Sequence, residues 1–350
     1  MEIGISTFVE NTADPESGKV LSPYERMKNL MEEIELADQV GLDVYAIGEH
    51  HRPDFVVSSP ATVLAAAAVK TKKIKLSSAV TVLSSDDPVR VFQQFSHVDL
   101  LSKGRAEIMA GRGSFIESFP LFGNNLKEYD SLFAEKLELL IALNKSEKVT
   151  WEGRHRAAIE DRGVYPRPYQ DELPIWIAVG GTPQSVVRAA SKGLPLALAI
   201  IGGQPERFVQ LTDLYKRTYE ESGHDLSQMQ IAVHSHGFIA DTEQEAADVF
   251  YGPYAQVMTQ LGKERGWPAM SKAQYKWMRS PEGSLVLGDP QMVIDKILAQ
   301  QEMMGLTRYL MHLSVGTMPH DKLMRAIELL GTVVAPAVRK AVGESSPIMN

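Results

Sequence analysis

Eight times along this chain a short run of β-branched and apolar residues gives way to a longer segment of helical period. That alternation is the signature of βα units and a parallel sheet. The runs are Ile3 to Phe8, Asp43 to Gly48, Ile74 to Leu83, Arg105 to Gly111, Ile175 to Val179, Leu196 to Ile201, Ile231 to Ala240 and Tyr309 to Ser314. Helix starts between them carry their own punctuation. Ser22 and Pro23 open one, Thr182 and Pro183 another, each pairing a capping side chain with a proline at the first helical position. With no linker and no internal repeat, the pattern favours an α/β fold of the closed (β/α)8 TIM-barrel type over an open doubly wound sheet. The first strand also lacks the Gly-x-Gly-x-x-Gly turn of a dinucleotide domain. Two insertions interrupt the alternation. One follows strand four, around Trp151 and Gly153, and the other follows strand seven, where Gly262 to Leu287 reads as irregular after a helix from Thr242 to Leu261. The expected organisation is a single barrel over residues 1–341 with a tail at 342–350.

Charge narrows the function. Lysine and arginine number 36 against 44 acidic residues, a net charge of −8, so no electrostatic footprint marks a nucleic acid or an anionic membrane as partner. A small-molecule substrate is the expectation. The absence of cysteine excludes thiolate chemistry, disulfides and cysteine-ligated metals. No basic-plus-apolar leader opens the sequence and no apolar run reaches the length of about 20 residues that spans a bilayer, so the chain is read as cytoplasmic.

In a barrel, chemistry sits at the carboxyl ends of the strands, and four such ends draw attention. Glu49-His50-His51 closes strand two; alternation lets only one of the histidines face the mouth, where it could act as general acid or base, or the polar trio could simply finish a strand. Gly111-Arg112-Gly113-Ser114 follows strand four and combines small residues with a permanently charged, planar fork suited to phosphate, though a plain turn has the same composition. Gly180-Gly181-Thr182-Pro183 closes strand five and opens a helix whose free N–H groups attract anions, with Thr182 as the cap; a well-capped helix without ligand is the alternative. His234-Ser235-His236 places two histidines on one face of strand seven, with His312 on strand eight as a third possible metal ligand. No carboxylate is expected beside His312, which leaves metal-dependent hydrolysis a remote alternative to pocket-lining polar residues. No metal site is assigned.

The chain resembles the bacterial luciferase family of flavin monooxygenases, on the side of its α subunits, over nearly its whole length. The stretches that carry the likeness are Gly48-Glu49-His50-His51, Thr71-Lys72-Lys73-Ile74, Pro88-Val89-Arg90, Ser102-Lys103-Gly104-Arg105 and Arg112-Gly113, in that order. The resemblance implies a (β/α)8 barrel binding reduced FMN. His50 matches the family's catalytic histidine, which turns His51 away from the flavin, and Arg112 matches its phosphate-contacting arginine. Gly180 and Gly181 replace a Glu-Ser pair at the same phosphate, leaving backbone N–H groups and Thr182 to hold it. Ala79-Val80 matches a pair whose cis peptide supports the flavin ring. Gly111 replaces a reactive cysteine near the flavin, and Ile200 a tryptophan near the aldehyde pocket, so the substrate pocket differs. The 262–287 segment corresponds to a mobile lid, with Lys263, Arg265, Lys272, Lys276 and Arg279 as residues that could close over the cofactor.

The function so implied is that of an FMN-dependent monooxygenase using oxygen on a small organic substrate, its reduced flavin supplied by a separate reductase. Deazaflavin-dependent hydride transfer and non-catalytic flavin binding are the alternatives within the same barrel. A homodimer is expected through the Ala-rich helix containing Ala65 to Ala68, although close packing of that helix on its own barrel would also explain the alanines.

Overall fold

A computed structural model describes residues 1–113 and 115–345 of the chain. The elements in order are β1 (Glu2–Thr7), α1 (Pro23–Gln39), β2 (Val44–Ile47), α2 (Pro60–Lys70), β3 (Lys75–Ser78), α3 (Pro88–Ser102), β4 (Ala106–Gly111), α4 (Tyr129–Lys145), β5 (Ile175–Val179), α5 (Pro183–Ser191), β6 (Leu196–Ile200), α6 (Val209–Glu221), β7 (Ile231–Ile239), α7 (Glu243–Arg265), α8 (Lys272–Met278), α9 (Pro290–Met304), β8 (Arg308–His312), α10 (His320–Leu329) and α11 (Ala335–Ser345). Every barrel strand pairs in parallel with its neighbours, and the sheet closes because β8 pairs with both β1 and β7. The register sets His312 level with Ser6 on one side and with His236 on the other. The molecule is therefore a (β/α)8 barrel.

Local chemistry explains why the helices begin where they do. Ser22 and Glu25 form a reciprocal capping box ahead of Pro23, and the Asp87 and Asp289 carboxylates cap α3 and α9, each followed by proline. The amphipathic helices then bury one face against the outside of the sheet. A second, smaller apolar cluster fills the lumen: Val44, Ala46, Met109, Trp176, Ala197, Ala232 and Leu310 are buried there. At the amino ends of the strands the plug is charged. Arg308 bonds Glu107 through both terminal nitrogens, at 2.7 and 2.9 Å, reaches Glu2 at 2.7 Å through Nε, and lies 4.2 Å over the Trp176 ring.

Two expectations need correction. Strand three does not run unbroken from Ile74 to Leu83; its ladder stops at Ser78 and resumes as Thr81–Val82, with the cis Ala79–Val80 peptide between. The 262–287 segment is largely ordered. Ser271 caps α8, whose buried Tyr275 donates to the Ala247 carbonyl at 3.0 Å, and Val286–Gly288 adds a short strand beside the end of β7. The insertion before β5 is an antiparallel hairpin of Lys148–Trp151 with Ile159–Gly163. The final helix α11 crosses the 341/342 boundary, and the rest of the expected tail, 346–350, lies outside the described residues. No helix among the described residues is long and apolar enough to cross a membrane.

Candidate active site

At the carboxyl end of β4 the chain turns sharply into the mouth. Gly113 has φ +82°, a conformation that favours glycine, and a Cβ on it would sit 2.8 Å from Val82 Cγ1. Between the two glycines Arg112 reaches across to β5's loop: Nη2 donates to Thr182 Oγ1 at 3.2 Å while Nη1 pairs with Asp130 at 2.5 Å. Asp130 is 72% exposed, so water screens that pair and an incoming anion can compete for the guanidinium. The Tyr129 ring lies 5.1 Å beneath the guanidinium, and its hydroxyl donates to the Gly113 carbonyl at 2.6 Å. Ser114 lies outside the described residues.

Opposite stands the start of α5. Thr182 occupies the N-cap position, but its hydroxyl makes no capping bond; it accepts from Arg112 instead, so the first-turn N–H groups keep no side-chain partner. A Cβ at Gly180 or Gly181 would meet nothing within 4 Å, and Gly181 adopts φ +125°. Arg112, Thr182 and an open helix start thus converge on clear space, which suits a phosphate. Arg188, on the same helix, stands behind the mouth: its guanidinium lies 5.5 Å over the Phe133 ring, its Nη1 is buried without a hydrogen-bond partner, and burial with the like charge of Arg112 lowers its pKa. Sequence reading missed Arg188 and Tyr129 because each sits on a helix face with no motif to mark it.

The floor of the mouth is braced by Glu49. This buried carboxylate accepts from the Val82 N–H at 2.8 Å and pairs with His51 Nε2 at 2.8 Å. His51 is thereby held in the wall by its neighbour two residues back. Beside it the Ala79–Val80 peptide faces Gly111, where a Cβ would lie 2.7 Å from Val80 Cγ2. The bulk of Val80 accounts for glycine at 111.

Four histidines converge above this floor. His50 stacks on Phe55 at 4.2 Å and 14°, touches the Phe8 and Phe115 rings, and leaves Nδ1 without a partner. Burial, then the neighbouring His312, holds its pKa down at about 3, so the imidazole is neutral under ordinary conditions. The same two causes, with Arg308 a smaller third, bring His234 to about 3; burial and His312 also hold His236 well below its ordinary value, and these rings leave Nε2 and Nδ1 respectively unpartnered. His312 differs. Its Nδ1 faces Ser6 Oγ at 3.3 Å and its Nε2 faces Glu10 Oε1 at 3.4 Å, so a carboxylate does stand beside it, contrary to expectation. Glu10 comes from the loop after β1, where no pattern announces an inward side chain. No group of three or more His, Asp or Glu among the described residues is arranged to hold a metal ion.

Two cavities meet here. The inner one, about 340 Å³, is lined by Ala79, Val80, Gly111, Arg112, Gly180 and Thr182 together with His50, His234 and His312. The outer one, about 870 Å³, lies against the second half of α7 and shares Phe8, Phe115, Ile201 and His236 with the first. Ile200, expected at the substrate pocket, points into the core and is fully buried; the next residue, Ile201, faces both cavities. Of the five cationic residues expected over the cofactor, Lys263 and Arg265 line the outer cavity. Arg279 pairs with Glu243 instead, Lys272 lies over the Tyr251 ring, and Lys276 is exposed.

Comparison with known proteins agrees with this geometry. The family model described as luciferase-like monooxygenase matches residues 1–308. The alkanal monooxygenase alpha chain of Aliivibrio fischeri is 26% identical over 212 residues, covering 60% of this chain and 59% of that one. Among solved structures, the oxygenating constituent of the 3,6-diketocamphane monooxygenase of Pseudomonas putida, a type II Baeyer-Villiger monooxygenase in complex with FMN, superposes with a TM-score of 0.75 at 22% identity, covering 96% of this chain and 98% of that one. The coenzyme F420-dependent tetrahydromethanopterin reductase of Methanopyrus kandleri does so with a TM-score of 0.73 at 20% identity, again over 96% of this chain and 98% of the other. At such identities these two likenesses show the barrel alone.

Proposed function

The chain belongs to the luciferase-like monooxygenase family, and from that premise we propose that it is an FMN-dependent monooxygenase acting with reduced flavin and oxygen on a small organic substrate. The observation that carries the reading is the convergence of Arg112, Thr182 and the open start of α5 on the rim of the inner cavity. These groups fit a phosphate monoester, and the cavity beneath them fits the ring it would anchor.

In this reading Arg112 gives up Asp130 for the phosphate, and the N–H groups after Gly180 and Gly181 complete the grip. Val80 and Ala79 would hold the ring against the cavity floor, on a chain that Glu49 fixes through the Val82 N–H. The reduced flavin supplies the electrons that activate oxygen, and the barrel supplies the dry surroundings in which that chemistry stays coupled to the substrate. His50, buried and neutral, offers its unpartnered Nδ1 as a hydrogen-bonding group to the reacting groups without carrying a resident charge. The substrate enters through the outer cavity, past Phe8 and Phe115. A separate reductase delivers the reduced flavin. A homodimer forms over α2 and α3, where Val69, Leu100 and Leu101 are exposed while Ala67 and Ala68 pack inward on the chain's own barrel; a monomer mass by light scattering would remove that part.

The likeness to the F420-dependent reductase favours one second reading, oxygen-independent hydride transfer with a deazaflavin. Anaerobic titration with reduced FMN, followed by mixing with oxygenated buffer under absorbance detection, decides between them. Saturable binding with oxygen consumed in proportion to substrate supports the monooxygenase. Binding of a deazaflavin in place of FMN supports the second reading, and binding of neither sinks both.

A further inference from the structure

Ser6, His312 and Glu10 form a row across the wall between the two cavities. Ser6 is fully buried on β1 and lines the inner cavity, as does His312 at the end of β8. Glu10 lines the outer one. The imidazole faces Ser6 through Nδ1 at 3.3 Å and Glu10 through Nε2 at 3.4 Å, and the His312 and Glu10 side chains are both buried. Such contacts are long at rest and tighten around a ligand. The second carboxylate oxygen, Oε2, is buried with no partner, which is costly unless something on the outer side completes it. The groups that face the row are His236 from β7, its ring 5.2 Å from that of His312, the neutral His50 from the loop after β2 across the Phe8 ring, and Arg26 from α1, whose Nε donates to the Glu10 carbonyl at 3.2 Å. Among these imidazoles only His312 has a carboxylate at hand to take or return a proton.

We propose that Ser6, His312 and Glu10 are a proton relay linking the inner cavity to the outer one. It rests on the inner cavity being the flavin chamber. A proton released in the inner cavity goes to Ser6 Oγ, the serine proton goes to His312 Nδ1, and the Nε2 proton goes to Glu10 Oε1. The O–H and N–H bonds broken equal those formed. The imidazole ends in its other tautomer, and the single added proton rests on Glu10, next to the outer chamber. The reverse sequence delivers a proton inward.

Two measurements test it, the first without flavin. In protein labelled with ¹⁵N-histidine, the His312 N–H, assigned by its loss in His312→Gln and distinct from that of His51 on Glu49, should lie downfield and resist exchange, and it should vanish in Glu10→Gln. Persistence of that signal in Glu10→Gln overturns the pair, whatever cofactor the protein takes. In the FMN-loaded enzyme, Ser6→Ala and Glu10→Gln should each slow turnover by about tenfold to a hundredfold, with flavin affinity unchanged and a smaller solvent isotope effect. The Ser6→Ala/Glu10→Gln double variant should be no slower than the worse single. Losses that multiply, with the isotope effect intact, overturn the relay. Failure of FMN to bind instead counts against the proposed function, and the histidine signal still decides the pairing.

Discussion

The two ends of the barrel bury similar kinds of residue and treat them oppositely. At the amino ends of the strands Arg308 and Glu107 satisfy each other through two bonds, with Glu2 and Lys75 closing the set. At the carboxyl ends Glu10, His50, His234 and His236 each keep a buried polar atom without a partner. A buried ionisable group left unpaired is expensive unless a ligand completes it, so the end whose charges are paired reads as scaffold and the end whose ionisable groups are not reads as the working face. Sequence composition alone would not separate them.

The largest effect that could break this contrast is at the bottom. Glu107→Ala leaves Arg308 buried beside the weaker partner Glu2, and should cost about 3–5 kcal/mol of stability by denaturant titration. A loss below about 1 kcal/mol would deny the amino end its structural role. Next comes the mouth, where Arg112→Ala should weaken FMN binding by about tenfold to a hundredfold in a fluorescence titration while leaving stability nearly unchanged. If stability fell with affinity unaltered, Arg112 would belong to the scaffold.

A third test is acid. His50 and His234 are held at about 3 in the folded chain against 6.5 for the free side chain, so protons favour the unfolded state. Their neutral forms give stability that is fully present above pH 6.5 and is lost as pH falls toward 3. Each steepens the decline by up to about 1.4 kcal/mol per pH unit within that window. His50→Asn should flatten the slope by one such share, and an unchanged slope would place His50 in contact with water. The smallest effect is expected at Gly180→Ala. Space is open there, so stability should stay within about 0.5 kcal/mol while FMN affinity falls by a measurable factor. Gly111→Ala is its control: the same added methyl meets Val80 and should cost about 1–3 kcal/mol.

The barrel was legible because its signals are local. Runs such as Ile231 to Ala240 and helix starts such as Ser22-Pro23 specify an element within ten residues. Arg112 and the paired glycines could be found the same way, from small residues beside a cation at strand ends. What stayed hidden depends on pairing across the chain. Glu10 and His312 are 302 residues apart, and Arg188 comes near Arg112 only because it sits over Phe133 of α4. The short strand Val286–Gly288 offers three residues, too few for a period. Ile200 and Ile201 show how narrow the margin is, since neighbouring positions on a strand face opposite ways and a shift of one exchanges core for cavity.

Arg52 lies two positions beyond His50 and holds Glu264 through two bonds, at 2.9 and 2.5 Å. Its guanidinium also sits 4.7 Å over the Phe115 ring and 3.6 Å from Glu117. One side chain thereby ties together the loop that carries His50, the end of α7 and the segment after β4. Arg52, Phe115 and Glu264 all line the outer chamber, so dwell time there follows from that knot, and high ionic strength should shorten the stay of a guest.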